Sequence, residues 1–207
     1  YDVVFMAPPC ESFSVAHRPQ LRSRRRWAAG LPNAPQEWRA YLRKHNELAA
    51  WTARLLRVAH DAGVDWATEN PADRGERGGD AYWERFADHA PLWKQPAFEA
   101  LREATAAQAR TFAYCAFGAP HQKLTTIWHS AGAEAALRPL DERACTHGRE
   151  QHAELLRGRD GAGNSKAGNA AAYPAALNQF LANAIVSTLL RRRTMARVTA
   201  ARATGTA

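Results

Sequence analysis

Two short stretches carry residue types that do chemistry. The first is Pro8-Pro9-Cys10-Glu11-Ser12-Phe13-Ser14. A cysteine in a stiff, proline-led turn just past an apolar run is partly exposed and can face a cation or a helix N-terminus. Such surroundings lower a thiol pKa and raise its thiolate content. Arg18, Arg22, Arg24, Arg25 and Arg26 follow closely and are expected to favour the anion further. The second stretch is Ala67-Thr68-Glu69-Asn70-Pro71. A carboxyl at a strand end in a crowded cleft can have a raised pKa and donate a hydrogen bond near neutral pH. Taken alone, each has a blander reading: a small buried cysteine and a turn carboxylate. A third set, Cys145, His147 and His152 with Cys115, offers soft and imidazole ligands suited to zinc. Its spacing matches no standard finger, so ordinary polar loop residues and no metal are expected there.

The elements that must position these groups follow from hydrophobic pattern and breakers. Residues 1 to 7, YDVVFMA, read as a buried strand, ended by Pro8-Pro9 because proline cannot continue a ladder. His17 to Gln36, rich in Arg, Pro and Gly, has no clean period and reads as a loop. Tyr41, Leu48, Trp51, Leu55 and Val58 fall at helical spacing, which predicts one amphipathic helix over Glu37 to Ala62, capped by Gly63. Val64 to Thr68 reads as a second strand, with Glu69-Asn70-Pro71 just past its end. Asp73 to Gly79 reads as a polar loop, and helix is expected from Pro96. Arg110 to Phe117 and Leu124 to Trp128 read as strands joined by a turn at Gly118 to Pro120. A short helix is expected near Glu150 to Leu156. Tyr173 to Leu190 reads as a helix with Pro174 in its first turn, and residues 191–207 as a basic tail, helical at first and then frayed. Strand, helix, strand describes an open α/β sheet, which binds ligands outside the carboxyl ends of its strands. Cys10 and Glu69 both fall there.

Length and composition bound the rest. At 207 residues, with 46% apolar and 23% charged residues, one soluble globular domain with tails is expected. No apolar run reaches the ~20 residues that cross a bilayer, so no membrane partner is expected. A net charge of +8 favours a polyanion, because Lys and Arg displace counterions from phosphates. Three cysteines cannot all pair, which fits a reducing compartment, nucleus or cytoplasm. The chain opens on Tyr1 directly into a strand-like run and reads as a segment of a longer protein.

Together the two chemical stretches resemble the C5 cytosine-specific DNA methyltransferase family. That family's nucleophile motif is Pro-Pro-Cys-Gln-x-Phe-Ser. It stands here with Glu11 for Gln. Its Glu-Asn-Val motif stands as Glu69-Asn70-Pro71. Its Gly-x-Pro-Gln-x-Arg-x-Arg motif resembles residues 118–125, with Lys123 at the first Arg and Thr125 at the second. Its Gly-Asn-Ser-Val motif resembles Gly168-Asn169-Ala170-Ala171, with Gly163-Asn164-Ser165 as a rival alignment. The resemblance spans about residues 1 to 186. The family's Phe-x-Gly-x-Gly cofactor loop and the acidic residues holding S-adenosylmethionine are absent, and would lie upstream.

The resemblance implies an α/β, partial Rossmann-like S-adenosylmethionine-dependent methyltransferase fold over residues 1–190. It implies methyl transfer from S-adenosylmethionine to carbon 5 of cytosine in DNA through a covalent Cys10 adduct. Glu69 would act at ring nitrogen 3 and Lys123 at the ring carbonyl oxygen. Pro9 and Asn169 would face the cofactor. Ser14, Arg22, Arg24, Arg25, Asn70 and Thr125 would face substrate or DNA, with the arginine-rich loop, about residues 17–36, as the mobile catalytic loop. An upstream cofactor-binding segment of the same protein would complete the site. The alternative expectation is a catalytically inactive nucleic-acid-binding relic of the same fold.

Overall fold

The computed structural model describes residues 2–148, 151–156 and 158–203, leaving the side chains of Asn169, Ala200, Ala201 and Ala203 undescribed. Its centre is a four-stranded mixed sheet built from β1 (Val3–Met6), β2 (Asp65–Pro71), β3 (Gln108–Ala113) and β4 (Leu124–His129), in the order β1-β2-β4-β3. β1 and β2 run parallel, and β4 is antiparallel to both β2 and β3.

This topology decides what meets what. The carboxyl ends of β1, β2 and β3 lie at one edge of the sheet, and the amino end of the reversed strand β4 lies beside them. Residues far apart in sequence therefore converge there: Cys10 after β1, Glu69 and Asn70 late in β2, Tyr114 after β3, and Lys123 before β4.

Side chains alternate across the sheet, as the pleat requires. On one face, Val4, Met6, Trp66 and Trp128 pack against Ala49, Ala53, Leu56 and Ala59 of α1 (Gln36–Asp61) and Phe98 and Leu101 of α2 (Pro96–Thr105). On the other, Phe5, Ala67, Phe112 and Ile127 pack against Leu137 of α3 (Glu134–Leu137) and Leu177, Leu181 and Ala184 of α5 (Ala175–Ala203). A single helical turn, α4 (Lys166–Asn169), precedes α5; the Ser165 hydroxyl caps it by accepting from Gly168 N–H at 3.3 Å.

Several boundaries differ from expectation. β2 does not stop at Thr68. It runs on through Glu69, Asn70 and Pro71, because β4 pairs with all three. β1 pairs with β2 only as far as Thr68, so Pro71 costs no ladder bond on that side. β3 ends at Ala113, and Tyr114–Phe117 closes instead into a 3-10 turn ended by Gly118 in the left-handed region (φ 83°). From His152 to Leu156 the chain bends rather than forming the expected helix; Arg149 and Glu150 lie outside the described residues.

The helices bring two further differences. α1 forms where its pattern predicts, and Gly63 (φ 64°) ends it by donating to the His60 carbonyl at 2.9 Å. Its buried face, however, is Leu42, His45, Ala49, Thr52, Ala53, Leu56 and Ala59, whereas Trp51, Leu55 and Val58 of the expected apolar stripe are exposed. α5 continues past Leu190 to Ala203, so the helical start expected of the basic tail extends through most of it. Arg192 donates to the Gly63 carbonyl and lies 3.7 Å from Asp65, and Arg193 lies 3.8 Å from Asp2. Among the described residues no helix is long and apolar enough to cross a membrane.

Candidate active site

The first group at the converging edge is Cys10. Pro8-Pro9 stops β1, and Glu11–Phe13 form a 3-10 turn that begins at Cys10, with Phe13 N–H donating to the Cys10 carbonyl at 3.0 Å. Phe13 is buried, with the Arg22 guanidinium 4.3 Å from its ring centroid. His89 anchors the same turn: its Nε2–H donates to the Phe13 carbonyl at 2.8 Å, and its Nδ1 accepts from Arg74 N–H at 3.1 Å. Ser14 follows, its hydroxyl accepting from Ala16 N–H at 3.2 Å.

Asn70, fully buried, donates from Nδ2 to the Pro8 carbonyl at 2.9 Å. That bond ties the end of β2 to the proline turn where the β1–β2 ladder has stopped. Next to it, Glu69 is 5% exposed. Its Oε2 accepts from the Tyr173 hydroxyl at 2.8 Å, while its Oε1 is buried with no partner among the described residues. Lys123 donates from Nζ to the Tyr114 hydroxyl at 3.0 Å, with the ammonium 4.4 Å from the Tyr114 ring centroid. Tyr114 and Tyr173 meet edge to face at 6.0 Å. Thr125 is buried in β4 opposite Pro71.

The electrostatics are mutual. Burial pushes the Glu69 carboxyl up, and Lys123 and the Tyr173 hydroxyl pull it part of the way back. Burial also pushes the Cys10 thiol up, Lys123 lowers it, and Glu69 raises it when charged. This reverses the expectation that nearby arginines would favour the thiolate. The reason is geometric: the cation that acts on Cys10 is Lys123, because Arg22 and Arg24 are engaged elsewhere. Arg22 is buried and donates to the Ser12 and Ala28 carbonyls, the Ser12 hydroxyl and Asn46 Oδ1. Burial pulls its pKa down to about 10. Arg24 pairs with Asp73 at 2.6 Å and with Glu76. Arg25 and Arg26 are exposed. The arginine-rich loop is therefore held by its own small core of Leu21, Ala34 and Leu42 as well as by these two guanidinium groups.

Of the groups expected to act together, the fold gathers Cys10, Glu69, Asn70, Lys123 and Thr125 at one edge. Pro9 is exposed on the turn. Asn169 lies in α4, and its side chain falls outside the described residues. The sequence reading does not single out Tyr114 or Tyr173. The only signal for Tyr173 is its place one residue before Pro174 and the last helix.

Comparison with models of protein families, with curated proteins and with solved structures finds no match for this chain.

Proposed function

We propose that this chain carries the base-activating half of a C5 cytosine methyltransferase of partial Rossmann-like fold, acting on DNA. The observation that carries the reading is the pairing of a buried carboxyl, its Oε1 unpartnered, with a thiol that feels its charge and that of Lys123. Carbon 5 of cytosine is a poor nucleophile. The Cys10 thiolate adds to carbon 6, the new S–C bond displacing the carbon 5–carbon 6 π pair, so that negative charge develops toward ring nitrogen 3. A neutral Glu69 supplies its proton to that nitrogen through Oε1. Lys123 sits as a cation for the ring carbonyl oxygen. Carbon 5 is then enamine-like and takes up an electrophile. The original carbon 5 proton then passes to water, its C–H electron pair re-forms the carbon 5–carbon 6 double bond as the S–C bond breaks and expels the thiolate, and Glu69 regains its proton from ring nitrogen 3. Burial is the main cause of the raised Cys10 thiol, and a neutral Glu69 removes the smaller, repulsive contribution to it.

The base reaches such a site only by leaving the duplex. A net charge of +8 supports a phosphate-bearing partner, with exposed Arg25 and Arg26 available for phosphates. Ser14, Arg22 and Arg24 act in this reading as supports of the loop that presents Cys10.

S-adenosylmethionine would supply the methyl group. The residues here do not make its site alone: β1 runs into Pro8-Pro9 rather than a glycine-rich loop, and Pro9 offers little beyond its carbonyl. The proposed partner is therefore a cofactor-binding segment of the same protein. The free edge of β1 and the exposed Trp51, Leu55 and Val58 stripe on α1 support such a neighbour.

The test is hydrogen exchange at carbon 5 of cytosine in DNA, which thiolate addition alone promotes. Exchange that disappears in Cys10→Ser supports the reading. A second reading, a nucleic-acid-binding protein without catalysis, is favoured by the raised Cys10 thiol. DNA binding without exchange, even with a cofactor-binding segment supplied in trans, would establish that one instead.

A further inference from the structure

Away from the proposed active site, Cys115, Cys145, His147 and His152 come together. Taking one ligand atom from each, all four lie within 4.8 Å of one another. Cys145 Sγ lies 3.4 Å from His152 Nε2, and the His147 and His152 rings meet at 5.2 Å. A tetrahedral zinc ion with Zn–S near 2.3 Å and Zn–N near 2.0–2.1 Å separates its ligand atoms by roughly 3.3–3.8 Å. The Cys145–His152 pair already has that spacing, and no two of the four ligand atoms lie more than 4.8 Å apart.

We propose that these four side chains form a structural zinc site. Two thiolates and two neutral imidazoles balance the charge of a divalent ion. Four protein ligands leave no open position, which is the mark of a structural rather than a catalytic zinc. The linear spacing hides the set, because Cys115 comes from a different part of the chain. It is buried in the 3-10 turn that follows β3. The segment bearing the other three ligands is brought to it by backbone bonds on both sides: Ala113 N–H donates to the Arg143 carbonyl at 2.9 Å, and Glu154 N–H donates to the Pro120 carbonyl at 2.9 Å. The same turn carries Tyr114, whose N–H donates to the Lys123 carbonyl at 3.0 Å. The ion would clip residues 143–148 and 151–154 onto the frame that holds Tyr114 and Lys123.

The test uses the full chain, reduced and stripped with a chelator, then titrated with cobalt(II) alone and afterwards with zinc. The proposal expects one cobalt per chain, intense visible bands of tetrahedral cobalt, and a thiolate-to-cobalt charge-transfer band that zinc bleaches. Cys145→Ser weakens the charge-transfer band. It also lowers cobalt affinity by more than the roughly 10–100-fold that loss of an outer-shell partner costs. His152→Ala, at a half-buried position, lowers affinity comparably while far-ultraviolet circular dichroism shows the fold retained. Weak octahedral spectra, affinity unchanged in both variants, or a Cys115–Cys145 disulfide in place of metal would each overturn it. The outcome does not depend on Cys10 or on any reaction with cytosine.

Discussion

The Tyr173 hydroxyl donates to Glu69 Oε2 at 2.8 Å, joining the chain two residues before the last helix to the end of β2. The bond occupies one carboxylate oxygen and leaves the other buried and unpartnered. It also favours the charged form of Glu69. Tyr173→Phe is therefore expected to raise the Glu69 pKa further. In the exchange assay the alkaline limb that reports loss of the Glu69 proton moves to higher pH, while looser positioning of Oε1 lowers the maximum. A limb that stays in place would show that Glu69 is not the acid.

Glu69→Gln separates stability from chemistry. Burial holds the folded-state pKa of Glu69 above its ordinary 4.5. The unfolded chain then releases its proton first, and stability is lost as pH rises from 4.5 through the folded value. The amide removes that penalty and can still accept from Tyr173. At neutral pH the variant is expected to be more stable than the parent, seen as a higher Tm. Carbon 5 exchange should fall by roughly 10²–10⁴-fold, the usual worth of a general acid. Thermal melts and exchange rates on the same preparation check both.

Lys123 lowers a Cys10 thiol that burial holds up. Lys123→Met is expected to raise that thiol further and to slow exchange at neutral pH. Raising the pH should restore part of the rate, since more thiolate then forms. Alkylation of Cys10 by iodoacetamide against pH gives an independent reading. An alkylation profile unmoved by the substitution would remove Lys123 from the site.

The arginines of the loop should divide sharply. Arg22 is buried with four hydrogen-bond acceptors. Arg22→Ala leaves those neutral acceptors unmet and is expected to destabilise the fold by at least about 1–3 kcal/mol, the scale for one buried polar group left without a partner. Arg25 is exposed. Arg25→Ala should leave the urea midpoint unchanged, weaken DNA binding uniformly across sequences, and reduce the salt slope by about 1. Equal effects of the two substitutions on stability would contradict the structure.

Burial lowers the pKa of His45, His89 and His129 below the ordinary 6.5. Below 6.5 the unfolded chain takes up protons that the folded chain refuses, so the stability these neutral histidines contribute is complete above 6.5 and is lost as pH falls. Urea midpoints measured at pH 7.5 and at pH 5 in the Glu69→Gln background, where the opposing carboxyl is removed, should show the acid loss. Equal midpoints would mean that these histidines are charged in the fold.

The sequence by itself determined the order of elements and the chemical types at their ends. Proline pairs stop strands and glycine ends helices for local steric reasons, so the turn at Cys10 and the end of α1 were legible. So was the raised carboxyl of Glu69, because a strand-end acid in an apolar setting is desolvated wherever the strand packs. Tertiary structure decided which groups meet. Reversal of β4 carries Lys123 to the carboxyl end of β2, and strand pairing extends β2 through Pro71. Neither is written in local periodicity. The Cys10 thiol departs from the expectation first because burial holds it up; of the nearby arginines, Arg22 and Arg24 are turned inward to Ser12, Asn46 and Asp73, and the cation that acts on it, Lys123, comes from beside β4. The face of α1 was misjudged for a related reason. Close packing on the sheet buries its alanines and Leu56, and leaves the larger Trp51, Leu55 and Val58 outside. Charges and apolar stripes act through distance in space, and only the folded sheet sets those distances.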